Sequence, residues 1–285
     1  MRKLDRLERP RAAAAGGNGA SRSRAADPVD RQFVTALGRG LAILRCFNEA
    51  DRRYLANQDI ATATSLPRPT VSRLTYTLTR LGYLQYARSL ARYCLGPAML
   101  PVARAYMASL DVPAVARPLM QALADELKCT VTLGARERLS MVFLEVCHGG
   151  GLLGMRIEVG AKVPHGATAM GRAHLCATSD AERHELLDAY RRAGRAGWPR
   201  IRDSVQQSLR QFDRHGFCYL MGETYTDVWG VGVPLVSPLD GRIFAFNCGG
   251  SLHGMTRRRI VQVVGPRLLA LRDAVSQHLS GTRAG

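Results

Sequence analysis

The stretch SLPRPTVSRLTYTLTRLGYL, Ser65 to Leu84, decides how the first third of this chain is read. Val71, Leu74, Leu78 and Leu81 recur at three, four and three, the spacing of one helix face. The opposite face carries Pro69, Ser72, Arg73, Tyr76 and Arg80, with Arg68 and Thr70 near its amino end. Pro67 and Pro69 fit only if the helix begins there, because proline is tolerated in the first turn. A solvated helix face normally mixes Glu with Lys, and this one has arginines, short hydroxyls and no acid. Such a face suits a DNA major groove, where Ser and Thr reach phosphates or base edges and Arg takes guanine bidentately.

The flanks agree. Leu37, Leu41, Leu44 and Phe47 mark an amphipathic helix whose inner face they are expected to form. Asn57 is placed to cap a short helix over Gln58–Ala63, and Thr64, Ser65 and Leu66 make the turn into the next one. Gly82 ends that helix, after which GYLQY and RYCLG read as two strands around ARSLA, with Arg88 and Arg92 in reach of a nucleic-acid backbone. Helix, turn, helix and hairpin make a winged helix-turn-helix. Its expected contacts with double-stranded DNA are Asn57, Gln58, Arg68, Pro69, Thr70, Ser72, Arg73, Tyr76, Arg80 and Arg88.

Charge supports a polyanionic partner. The 285 residues have a net charge of +17, and residues 32–95 alone carry nine basic and three acidic side chains. Residues 1–31 hold eight basic and four acidic groups among Ala, Gly and Ser, and are expected to be a disordered basic tail. The seven cysteines are odd in number and lack any CxxC pair, which fits reduced thiols in a cytoplasmic protein. No apolar run approaches membrane-spanning length, so no membrane partner is expected.

The segments FVTALGRGLAILRCF, NQDIATATSLPRPTVSRLTYTLTRLGYL and RYCLGPAML resemble the IclR family of bacterial transcription regulators. The family's run GLP-x-x-T-V-x-R-L-x-x-T-L-x-x-L-G-Y is closely echoed, with Ser65 in place of its usual glycine. The resemblance runs over about residues 33–280 and implies an α+β chain in four parts. These are the tail 1–31, a winged helix-turn-helix at 32–95, a linker helix at 96–110, and a GAF-like effector domain at 111–285 with a largely antiparallel sheet. Pro101 inside the linker segment requires a kink or a late helix start.

Beyond the linker, PAVARPLMQALADELK reads as a helix, and TVTLGA, SMVFLEVC and LLGMRIEVG read as strands. Helices follow at 167–177, 181–191 and 202–215, strands at 217–220, 230–236 and 242–248, and a last helix at 256–279. The resemblance places a small-molecule pocket here. VPHGATAMGRA matches the loop and helix start whose amides hold an effector carboxylate, pointing to Thr168, Ala169 and Met170. The stretches around GETYTDVWGVGVPL and FAFNCGG add Leu220, Met221, Glu223, Trp229, Gly230, Asn247 and Gly249. The effector is then a small organic acid, plausible for a catabolic pathway. The protein is expected as a homodimer, or a dimer of dimers, on a near-palindromic operator. Leu220 and Gly249 stand where some members have polar groups, implying a larger or more apolar ligand.

Enzyme readings are weaker. His148-Gly149-Gly150-Gly151 spells an oxyanion motif, with Ser251, Asp273 and His278 in hydrolase triad order. However, His253 takes the place of the second elbow glycine, and Ser251 and Asp273 are too close in the chain. Neither the histidines nor the cysteines have metal-ligand spacing, so no catalytic residue, metal or cofactor is expected. A ligand-binding protein with only non-specific DNA affinity is the other alternative.

Overall fold

A computed structural model describes residues 32–48, 52–150, 157–193 and 198–281. The expected tail at 1–31 lies outside them. The amino-terminal unit has α1 (Thr35–Arg45), α2 (Asn57–Thr64), α3 (Arg68–Arg80) and a hairpin of β1 (Leu84–Ala87) and β2 (Arg92–Leu95). Ile43, Phe47, Leu55, Ile60, Val71 and Leu84 form its core. Each such side chain contributes about 1.5–3 kcal/mol by leaving water.

Two apolar faces differ from the sequence reading. In α1 the inward positions are Gly40, Ile43 and, just beyond the helix, Phe47, whereas Leu37 and Leu41 are exposed. In α3 the buried residues are Val71 and Thr75, Leu74 and Leu78 are partly buried, and Leu81 is exposed. Thr75 can be buried because its hydroxyl donates to Val71 O at 2.9 Å, as a buried polar group requires.

α4 (Met99–Ala108) starts late, so Pro101 sits in its first turn and no kink is needed. α5 (Asp111–Leu127) leads into a six-stranded antiparallel sheet. Its strands are β3 (Thr130–Glu137), β4 (Ser140–His148), β5 (Lys162–Pro164), β6 (Cys218–Met221), β7 (Val228–Val236) and β8 (Ile243–Ser251), in the order β5-β4-β3-β8-β7-β6. Only the end of the third strand expected at 152–160 falls among the described residues. Residues 151–156 lie outside the described residues, Ile157–Gly160 is not strand, and the pairing partner of β4 is Lys162–Pro164.

Strand alternation assigns the two faces. In β7 and β8 the large residues Trp229, Val231, Val233, Leu235, Phe244 and Phe246 pack with Met120, Leu123, Leu268 and Leu271. These last four come from α5 and from α10 (Gly265–Gly281), which follows the three-residue α9 (Arg257–Arg259) and a π-helical stretch, Ile260–Val264. The alternate residues Gly230, Gly232, Ala245, Asn247 and Gly249 are small or polar and face α6 (Ala169–Ala177). A Cβ on Gly232 would stand 2.1 Å from Ala169 O, and one on Gly134 would stand 2.5 Å from Met170 Sδ. Those glycines let the helix lie directly on the strands. α7 (Asp180–Arg192) and α8 (Trp198–His215) complete this side.

Candidate nucleic-acid interface and effector pocket

The turn between α2 and α3 is built on Ser65, which ends α2 in the left-handed region at φ 54°. That conformation favours glycine, so Ser65 holds it at some cost. Asn57 does not cap α2. Ala56 occupies the cap position, and the Asp59 carboxylate accepts from Ala56 N at 2.9 Å. Asn57 instead ties the two helices together, donating to Ser72 Oγ and accepting from Thr75 Oγ1, each at 3.4 Å.

The outward face of α3 presents Arg68, Pro69, Ser72, Arg73, Tyr76 and Arg80, all exposed, with Thr70 half-buried at its start. Tyr76 is 67% exposed, a large aromatic surface that no other element of the unit covers. Gln58 is exposed on α2 and bonded to Thr62, while Arg88 stands at the wing tip. Among the described residues Arg68, Arg73, Arg80 and Arg88 form no ion pair. Arg92 is different. It pairs with Asp59 at 3.2 Å and so links the wing to α2. The threonines of α3 also divide. Thr75, Thr77 and Thr79 bond back to carbonyls four residues earlier, which leaves Thr70 and Ser72 as the hydroxyls near the outer face.

In the α+β domain, cross-strand register sorts the candidate pocket residues. Leu220, Gly230 and Gly249 lie in one row across β6, β7 and β8. Asn247 lies in the next row with Gly232 and Thr132, on the same face. This face meets the start of α6, where the Thr168 hydroxyl accepts from Gly171 N at 3.3 Å and donates to Pro164 O at 2.9 Å. Ala169 and Met170 follow as the first helical residues, whose amides have no partner within the helix. Thr168, Ala169, Met170, Leu220, Gly230, Asn247 and Gly249 therefore share one region.

Met221 and Trp229 do not join them. They pair with each other one step along the ladder, so the pleat turns both to the opposite face. Trp229 is 3% exposed within the core under α5 and α10. Glu223, in the loop after β6, is engaged elsewhere. Its carboxylate accepts from Arg172 at 3.1 Å and from Ser204 at 3.5 Å. Arg172 is almost fully buried and also donates to Gly166 O, so the pair ties α6 to both neighbouring loops.

The sequence reading missed Arg172, and it also missed a buried chain beneath α6. His165 Nδ1 lies 2.5 Å from Tyr190 Oη, and its Nε2 lies 3.1 Å from His174 Nδ1. Burial, then the neighbouring His174 and Arg136, push the His165 pKa well down. Burial, then Arg136, lowers that of His174 to about 4. Both rings are neutral at pH 7. No local sequence signal marks it, because His165 lies before α6, His174 within it and Tyr190 on α7.

The model for the IclR helix-turn-helix domain matches residues 36–88, and that for the bacterial transcriptional regulator IclR C-terminal domain matches 104–277. The chain belongs to the IclR family. An IclR-family transcriptional regulator from Brucella abortus shares 42% identity over 87% of this chain and 94% of its own, with a TM-score of 0.79. The HTH-type transcriptional regulator TsaQ1/TsaQ2 of Comamonas testosteroni is 31% identical over 88% of this chain and 90% of its own length. The fold also matches an IclR homologue from Microbacterium hydrocarbonoxydans in complex with 4-hydroxybenzoate, at 19% identity, 86% and 99% coverage and a TM-score of 0.68.

IclR regulators bind DNA through the helix-turn-helix unit and carry a separate effector-binding domain, and this chain has both. Its hydrolase-like residues are not assembled as a triad. Ser251 Oγ accepts from His253 N, Asp273 pairs with Arg272, and His278 Nδ1 bonds Ala274 O within its own helix. Among the described residues no group of three His, Cys, Asp or Glu is placed to hold a metal, and no helix is long and apolar enough to cross a membrane.

Proposed function

We propose that this IclR-family regulator reads a near-palindromic operator as a dimer and is controlled by a small organic acid of a catabolic pathway. The observation that carries the DNA half is the outer face of α3. It has three unpaired arginines flanking Ser72 and Tyr76, with Arg88 unpaired at the wing. Asn57, Gln58, Pro69 and Thr70 complete the proposed surface. Dimerisation is supported by apolar side chains left exposed on two helices and the residues before them. They are Phe33, Val34, Leu37 and Leu41 at α1, and Leu100, Val102 and Tyr106 on α4. A two-fold dimer places two α3 helices on half-sites about one DNA turn apart.

For the effector, the reading rests on the α6 start facing Leu220, Gly230, Asn247 and Gly249. Free helix-start amides favour an anion such as a carboxylate. The 4-hydroxybenzoate bound by the Microbacterium homologue is a carboxylate on the same fold. We assign the chain no catalytic role and a cytoplasmic location, where its reduced thiols and operator would be found.

Selection of duplex DNA from a random pool, followed by anisotropy over a salt series, tests this. A palindromic consensus whose affinity falls in Arg73→Ala supports the reading. Enrichment of no sequence, with affinity tracking only salt, would leave a ligand-binding protein of non-specific DNA affinity.

A further inference from the structure

A cavity of about 230 Å³ opens between α8, the edge strand β6 and α9. It is lined by Arg210, Gln211, Arg214, His215, Tyr219 and Arg257, with no carboxylate among its lining residues. Most arginines of this domain are in ion pairs, as Arg267 is with Glu126 and Arg272 with Asp273. The three around the cavity have none among the described residues. Arg210 and Arg214 are four residues apart on one helix, a like-charge spacing that weakens the helix unless something lies between them.

The third arginine is held in place. Arg257 Nε donates to Tyr219 Oη at 2.6 Å, and its guanidinium lies over the Tyr219 ring, 5.7 Å from the centroid. That leaves its terminal nitrogens without a partner among the described residues. Gln211 fixes the floor by accepting from Tyr219 N at 2.9 Å, and both residues are buried. His215, stacked on Phe217 at 5.5 Å, closes one side. A guanidinium held by Tyr219, with two further arginines lining the same cavity, offers the fork-shaped donors that oxyanions select. The volume lies below the ~300–1,000 Å³ of sites for drug-sized ligands, so the occupant is compact.

We propose that this cavity is a second ligand site, for a compact polyvalent oxyanion, in a regulator whose effector pocket lies elsewhere. The shared chemistry is two or more negative charges on oxygens, carried by a phosphate group or by a small polycarboxylate. Calorimetric titration of the full chain with inorganic phosphate, pyrophosphate and citrate, each at constant ionic strength, tests it. The wild type is expected to bind at least one of them saturably. Arg214→Gln and Arg257→Gln should each weaken that binding about tenfold or more, the worth of one charge-assisted contact. Arg214 is exposed and makes no contact whose loss would unfold the protein, so its variant guards against a folding artefact. Phosphate and pyrophosphate binding without citrate assigns a phosphate group, and citrate binding assigns a polycarboxylate. No saturable binding by the wild type at millimolar concentrations overturns the proposal. So does binding that both glutamine variants retain unchanged, since the anion would then sit elsewhere, as on the basic face of α3.

Discussion

Acidification should destabilise the α+β domain through the buried histidines, and the size of the effect follows from their geometry. A consistent proton assignment has Tyr190 donating to His165 Nδ1 and His165 Nε2 donating to His174 Nδ1. Burial, then the positive charge of Arg136, disfavours a proton on the His174 ring, and its pKa falls from the ordinary 6.5 to about 4. A folded value below the unfolded one means the unfolded chain binds more protons between the two. Stability is therefore full above about pH 6.5 and is lost as pH falls toward 4. At about 1.4 kcal/mol per pH unit, the whole interval is worth about 3 kcal/mol, and about 2 kcal/mol of it is lost by pH 5. His165, shifted in the same direction, adds to the loss. Urea unfolding between pH 8 and 5, above most carboxylate titration, measures the fall. His174→Gln keeps an acceptor for His165 but cannot titrate, so its curve should be flatter by about 2 kcal/mol. Equal losses in variant and wild type, or a flat wild-type profile, would refute the argument.

Three further outcomes are expected. Ser65→Gly should stabilise the amino-terminal unit by about 0.5–1 kcal/mol in calorimetry, because it relieves the left-handed strain at a modest entropic cost. A destabilised variant would mean that the turn is not strained there. Gly232→Ala should cost about 3 kcal/mol or more in urea unfolding, since its methyl group would run into the Ala169 carbonyl and force α6 off the sheet. Wild-type stability would show that the helix does not sit so close. Arg73→Ala should lose about 1–3 kcal/mol of operator binding by anisotropy if its guanidinium reads a base, with little change on random DNA. An equal loss on both DNAs would make Arg73 a phosphate contact.

The amino-acid sequence by itself determined the order of elements, because hydrophobic period and turn residues are local signals. The stretch from Ser65 to Leu84 named its helix, its start at the prolines, its stop at Gly82 and its unpaired arginines. It did not determine which side chains occupy the interior. Leu37, Leu41 and Leu81 satisfy helical spacing yet lie outside, while Thr75 lies inside because neighbouring carbonyls and Asn57 satisfy its hydroxyl. The alternation of large and small residues in VWGVGVPL and FAFNCGG held the two faces of the sheet in plain view. Read by proximity in the chain, Trp229 and Gly230 look like neighbours at one site. The pleat sends them to opposite faces, and only the β6–β7–β8 register shows which face α6 covers. The Arg172–Glu223 pair and the His165–His174–Tyr190 chain join residues nine to 51 positions apart, and the cavity brings Arg257 to Tyr219, 38 positions earlier. Such contacts carry no local period, and packing alone brings them together.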